Sequence, residues 1–315
     1  MSKFMRATTG LVLITMFVLS SCGENSEIFV PDESYGNVGN FFKSLYQQPE
    51  TTFFNPEEDF LFSTASDIKI FVPANTLQYG DGSHVAGDVL LEFKELNKSG
   101  DFIINQITSQ TANGYLLADR VFKLDFVSKG ETIFVKDGKK IEVVLIKDEK
   151  EDNHYIYSWS GSSWRNLLLS ELPAAKLEYG DWAYATSSGG SDTYKGYKMT
   201  LTGTGWISFG IEMVEDVPTS LCFDLPLGYN TQNTKVFVIS VKDKLVVEAK
   251  ELSGSRFCKL DFYVKNDNSL RMISISDKGL KNYLGLVDIN ASEHTYVVQP
   301  QLKNKADIVE VLSNN

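Results

Sequence analysis

Short runs of alternating apolar and polar residues recur along this chain, broken by clusters of glycine, asparagine, aspartate and serine. Residues 67–72, 85–96, 121–127 and 141–146 alternate in the first half; residues 204–209, 220–225, 236–241, 257–264 and 270–275 do so in the second. Alternation sends successive side chains to opposite faces, so each run reads as a half-buried strand. Turn clusters at residues 79–83, 99–101, 113–114 and 128–130 fall roughly every 8–12 residues, the spacing of an antiparallel sandwich or barrel. The chain therefore reads as mainly β: two consecutive antiparallel β-sandwich domains behind a lipidated N-terminal tether. The expected bounds are 63–190 for the first module with its aromatic hairpin and 191–315 for the second. Residues 187–192 (SSGGSD) read as the flexible joint between them.

Residues 1–21 read as a lipoprotein signal. Lys3 and Arg6 make a basic start, and residues 11–19 (LVLITMFVL) make an apolar run. A membrane-spanning helix needs about 20 apolar residues, so this run suits the hydrophobic part of a secretory signal. Leu19-Ser20-Ser21-Cys22 follows: an aliphatic residue, two small residues and a cysteine. That resembles a bacterial lipobox, whose small side chains admit the signal peptidase and whose thiol accepts the lipid. The expectation is lipidation at Cys22, with palmitate-type acyl chains and the membrane as a partner through that anchor. The chain has 30 Lys+Arg against 41 Asp+Glu, a net charge of −11, so an anionic leaflet repels it. Attachment then falls to the acyl chains, at about 0.8 kcal/mol per buried CH₂. Gly23 follows the cysteine where an aspartate would hint at inner-membrane retention, so the expected location is the outer membrane, on its periplasmic or cell-surface face. Residues 22–62 read as the tether. Their many aromatics, Phe41, Phe42, Phe53 and Phe54 among them, imply a segment lying against a domain, with residues 40–48 a short helix showing Phe41, Phe42 and Leu45 on one side.

The same composition narrows the chemistry. An acidic chain without a basic patch would repel phosphate, which excludes nucleic acid as a partner. With Cys22 lipidated, Cys222 and Cys258 remain, each beside a strand-like run. In an oxidising compartment they either form a disulfide or stay as buried thiols that behave as small apolar residues. His84, His154 and His294 are far apart and show no H-x-x-x-H spacing, so no metal site is expected. Neither a Gly-x-Ser-x-Gly elbow nor a phosphate-binding glycine loop is present. The expectation is a protein that is not an enzyme, with no catalytic residue and no cofactor.

The remaining marked feature is aromatic: Tyr155, Tyr157, Trp159, Trp164 and Trp182. Period-two spacing puts Tyr155, Tyr157 and Trp159 on one face of a strand. If exposed, such rings stack on sugars or anchor a protein interface; if covered, they are core. They are the candidate ligand or partner contacts.

Ile70-Phe-Val-Pro-Ala-Asn-Thr-Leu77, Asp81-Gly-Ser83, Val85-Ala-Gly-Asp-Val89, Glu92 and Gly114 stand in a familiar order. Over residues 63–146 the chain resembles the β-sandwich module shared by ankyrins, netrin receptors and tight-junction scaffolds. The resemblance implies a sandwich that binds other proteins. Some relatives cleave themselves at a His-Phe-Ser step; here Val85 follows His84, so that activity is not implied. The order of the whole chain is similar to Bacteroidetes-type envelope lipoproteins, a group defined by architecture. Two expectations follow: a protein-binding accessory or scaffold of an outer-membrane complex, or a surface lipoprotein that binds glycan through exposed Trp and Tyr.

Overall fold

The computed structural model describes residues 36–169, 175–185, 190–214, 219–240, 243–262, 269–289 and 294–315. Cys22 and the lipobox lie outside the described residues. In chain order the elements are α1 (Val38–Ser44), β1 (Glu50–Phe54), β2 (Phe60–Ser63), β3 (Ile68–Val72), β4 (Leu77–Gln78), β5 (Val89–Glu95) and α2 (Ser99–Ile104). Next come β6 (Tyr115–Ser128), β7 (Glu131–Val135), β8 (Ile141–Ile146), β9 (Tyr155–Trp159), β10 (Trp164–Asn166), β11 (Ala175–Ala185), β12 (Ser191–Leu201) and β13 (Gly205–Met213). The last part holds β14 (Thr219–Asp224), β15 (Thr234–Ser240), β16 (Val246–Ser253), β17 (Arg256–Phe262), β18 (Leu270–Lys278), β19 (Lys281–Ile289), β20 (Thr295–Val297), β21 (Gln301–Lys303) and α3 (Lys305–Ser313). No helix among the described residues is long and apolar enough to cross a membrane.

The protein is mainly β, with three sheets. The first has the order β1-β5-β6-β13-β9-β10, with β7 and β4 continuing from β6; the second is β11-β12-β8-β3-β2. Their facing sides make one core. Ile68, Ile70 and Val72 of β3 and Val143 and Leu145 of β8 meet Leu91 and Phe93 of β5 and Phe122, Leu124 and Phe126 of β6. These are the inward positions of the alternating runs, as a buried sheet face requires.

The third sheet runs β20-β14-β17-β16-β15-β18-β19-β21, antiparallel except for the parallel pair β14–β20. Its two outermost strands are consecutive in the chain, with only Val298-Gln-Pro300 between them. One short stretch therefore reaches both ends of the sheet, and the sheet curls into a half-barrel. Both faces are covered. Val236 and Val238 of β15 point into the curl, while Phe237 and Ile239 face a helical layer. That layer holds α1, α2 and α3, packed also on the outer side of the first sheet through Leu96, Leu116, Tyr157 and Trp164.

Local chemistry sets the helices. The Asn37 side chain accepts the Asn40 N–H (3.2 Å) to cap α1, and Asn304 accepts the Asp307 N–H (2.9 Å) to cap α3. Phe41, Phe42 and Leu45 are buried, Phe42 edge-on to Phe237 with ring centroids 6.1 Å apart. A Cβ at Gly100 would lie 1.8 Å from the Leu312 carbonyl oxygen, so glycine is what lets α2 approach α3.

The chain is divided differently from the sequence reading at two points. Residues 186–189 of the Ser/Gly stretch read as a joint lie outside the described residues; the strands on either side pair, Ala185 opposite Ser191, and β12 and β13 belong to the second and first sheets. The passage to the third sheet falls between β13 and β14. Part of the stretch read as tether is also built in: β1 pairs with β5, β2 pairs with β3, and α1 lies in the helical layer.

Candidate functional site

β9 and β10 form a hairpin whose turn, residues 160–163, is closed by the Ser160 N–H and Oγ donating to the Ser163 carbonyl (2.9 and 2.8 Å). Gly161 has φ +94°, which favours glycine at that corner. Trp159 and Trp164 sit opposite each other, ring centroids 5.3 Å apart. Trp164 is fully buried and its indole N–H donates to the Thr108 carbonyl (2.7 Å). Tyr157 is buried too; burial, with the Glu212 carboxylate nearby, pushes its phenol up to about 12. Tyr155 and Trp159 are half-buried against the same helical layer. The shared face of β9 is therefore largely core.

Trp182 stands apart, on β11 of the second sheet. Its indole N–H donates to the Gly196 carbonyl (3.0 Å), and the Lys198 ammonium lies 4.0 Å from its ring centroid. The structure brings together Tyr155, Tyr157, Trp159 and Trp164 but not Trp182. Of the five, Trp159 alone lines a described cavity, a cleft of about 690 Å³ between the β9–β10 hairpin and the third sheet. Gln106, Gln110, Lys235, Glu248 and Lys259 supply polar groups there. Glu248 bridges Lys235 (2.8 Å) and Lys250, and Lys259 donates to the Gln110 amide oxygen (2.9 Å). Burial opposes ionisation of Glu248, but the two ammoniums win and hold its carboxyl below the usual range. An indole among fixed donors and acceptors suits a polyhydroxyl ligand.

Cys222 and Cys258 are bonded to each other. They occupy opposite positions on β14 and β17, with Cα atoms 4.1 Å apart. Cys258 also lines the Trp159 cleft.

A second polar cluster escaped the sequence reading. His154, far in sequence from the other histidines, has a side chain only 6% exposed, stacked on Phe209 at 4.7 Å. Its Nε2 lies 3.2 Å from Asp119 and 3.4 Å from Glu151. The ligand atoms of Asp119, Glu151 and His154 fall within 4.8 Å of one another, as metal ligands do. Lys147 already donates to both carboxylates (2.9 and 2.7 Å), so its ammonium supplies the charge a cation would bring. Burial works against ionisation of Asp119, yet Lys147 holds its carboxyl below the usual range. The one sequence signal was the charged run at residues 147–152; its partner Asp119 lies on a strand far upstream.

The fold and these sites define a mainly β protein with a polar cleft beside a disulfide-bonded curled sheet. The chain matches no protein-family model, no curated protein and no solved structure.

Proposed function

We propose that this protein is a non-catalytic outer-membrane lipoprotein, anchored through Cys22, whose β modules serve as a protein-binding accessory or scaffold of an envelope complex. The lipobox motif and the resemblance of residues 63–146 to a partner-binding module support this reading. The Cys222–Cys258 bond suits an oxidising compartment. The observation that carries the partner-binding half is a set of exposed leucines on one rim of the third sheet. Leu227 is 93% exposed and Leu280, in the β18–β19 turn, 95%. Their turns are neighbours, since a Cβ at Gly228 would lie 3.4 Å from the Lys278 ammonium. Leu302, opposite Tyr283, adds a third exposed leucine at 61%. Isolated exposed leucines are ordinary; several gathered on one rim mark a contact surface.

The test is purification of a tagged full chain from its native membrane in mild detergent, with mass spectrometry of what accompanies it. A stoichiometric envelope protein that is lost from the Leu227→Asp, Leu280→Asp double variant is expected. A lone chain, or a companion retained by the double variant, would contradict the proposal.

The Trp159 cleft favours a second reading, glycan binding at the surface. That reading expects Trp159→Ala to abolish retention on polysaccharide with the unfolding midpoint kept. Unchanged retention would remove it.

A further inference from the structure

The outer face of the first sheet carries a charged pattern unlike its inner face. Glu92 and Lys94 of β5 lie opposite Asp125 and Lys123 of β6, and Trp206 of β13 lies opposite Lys123. Lys94 thus faces Lys123 directly across the ladder, and like charges so placed repel. Helix α1 and the chain after it cover this face with Phe42 and Tyr46, and the end of α2 covers it with Ile104. A cavity of about 520 Å³ remains between sheet and helices, within the size range of small-molecule sites.

Lys94 is the unusual member. It is only 7% exposed, yet its ammonium makes one hydrogen bond, to the Gln47 carbonyl (3.0 Å), and lies 4.3 Å from the Tyr46 ring centroid. An ammonium has three N–H donors, so this one can receive a carboxylate from the cavity as well as donate to Gln47. Burial lowers the pKa of Lys94; Asp101 opposes that and Lys123 adds to it. Lys123 is better served, with Asp125 at 2.5 Å. An anion lying between the two ammoniums would relieve the repulsion. Glu92 and Asp125 at the same cavity set a limit: they disfavour a multiply charged anion such as phosphate.

We propose that this cavity binds a small monocarboxylate with an apolar body, the carboxylate received by Lys94 and Lys123 and the body held between Tyr46 and Trp206. This site is separate from the leucine rim and from the Trp159 cleft, and it depends on neither the anchor nor a protein partner. Its ligand is an aryl or short alkyl acid.

The experiment is calorimetric titration of the full chain, in non-ionic detergent, with phenylacetate and with its neutral counterpart phenylacetamide. Phenylacetate is expected to bind one site per chain, and phenylacetamide at least about tenfold more weakly, the effect of one charge-assisted hydrogen bond. Lys94→Met keeps the apolar stem and removes the charge; it should erase the preference for the acid. Trp206→Ala should weaken both compounds together. Absence of saturable phenylacetate binding, unchanged binding by Lys94→Met, or equally tight binding of inorganic phosphate would overturn the proposal. Should Lys94→Met fail to fold, Tyr46→Ala, at a half-exposed position, and Lys123→Met carry the test. Each is expected to weaken phenylacetate several-fold, and full affinity in both would overturn it.

Discussion

Two tryptophans that look alike in the sequence have different work. Trp164 is fully buried with its indole N–H bonded to Thr108, so Trp164→Ala should cost about 3–5 kcal/mol, read from urea unfolding midpoints. Trp182 rests half-exposed on its own hairpin beside Lys198, and Trp182→Ala should cost about 1 kcal/mol or less. Glu248 makes a pH prediction. Its folded-state pKa lies below the ordinary 4.5, so its stabilising contribution is present above that value and is lost as pH falls through the lowered one. Glu248→Gln should therefore reduce stability at neutral pH and flatten the acid limb of a stability–pH profile. A variant with an unchanged acid limb would show that the lysine pair does not set it. The period-two aromatics of β9 were legible in the sequence; what covers them was not. Their cover comes from α2 and α3, near residues 100 and 310, and strand periodicity carries no information about such distant neighbours. His154 was missed for the same reason, because Asp119 and Phe209 reach it from other strands.

Most strands could be read from alternation, and α1 from Phe41, Phe42 and Leu45, because both signals are local. The pairing of β11 with β12 shows where local reading stops. A Ser/Gly stretch has the same composition in a linker and in a hairpin connection. Here β11 and β12 pair from Ala175–Leu201 to Ala185–Ser191, a register that no short window contains. Two predictions belong to elements. Gly100→Ala sets a methyl against the Leu312 carbonyl and should push α3 from α2, costing about 1–3 kcal/mol by thermal or urea unfolding. Replacing Cys222 and Cys258 together by alanine should cost about 2–4 kcal/mol, and adding reductant to the native protein should reproduce that loss.

Across the whole molecule, a two-sheet sandwich and a curled sheet share one helical layer, and the described chain begins at that layer. Gly36 lies so close to β18 that a Cβ there would meet the Asp277 carbonyl oxygen at 1.5 Å, and the Val38 N–H donates to the Gln232 carbonyl (3.1 Å). The first described residues are thus fixed beside the loop and hairpin that carry Leu227 and Leu280. From Cys22 to Gly36 is a reach of at most about 50 Å when fully extended. A chain anchored at Cys22 would keep this leucine rim near the membrane surface, within reach of proteins embedded there. The anchor is the claim on which the accessory role rests, and the intact mass of the full-length gene product taken from its native membrane tests it most directly. The account predicts a chain beginning at Cys22 and heavier by its acyl chains, with Cys22→Ser released to the soluble fraction. An unacylated chain that keeps Met1, or a Cys22→Ser variant still held in the membrane, would contradict it.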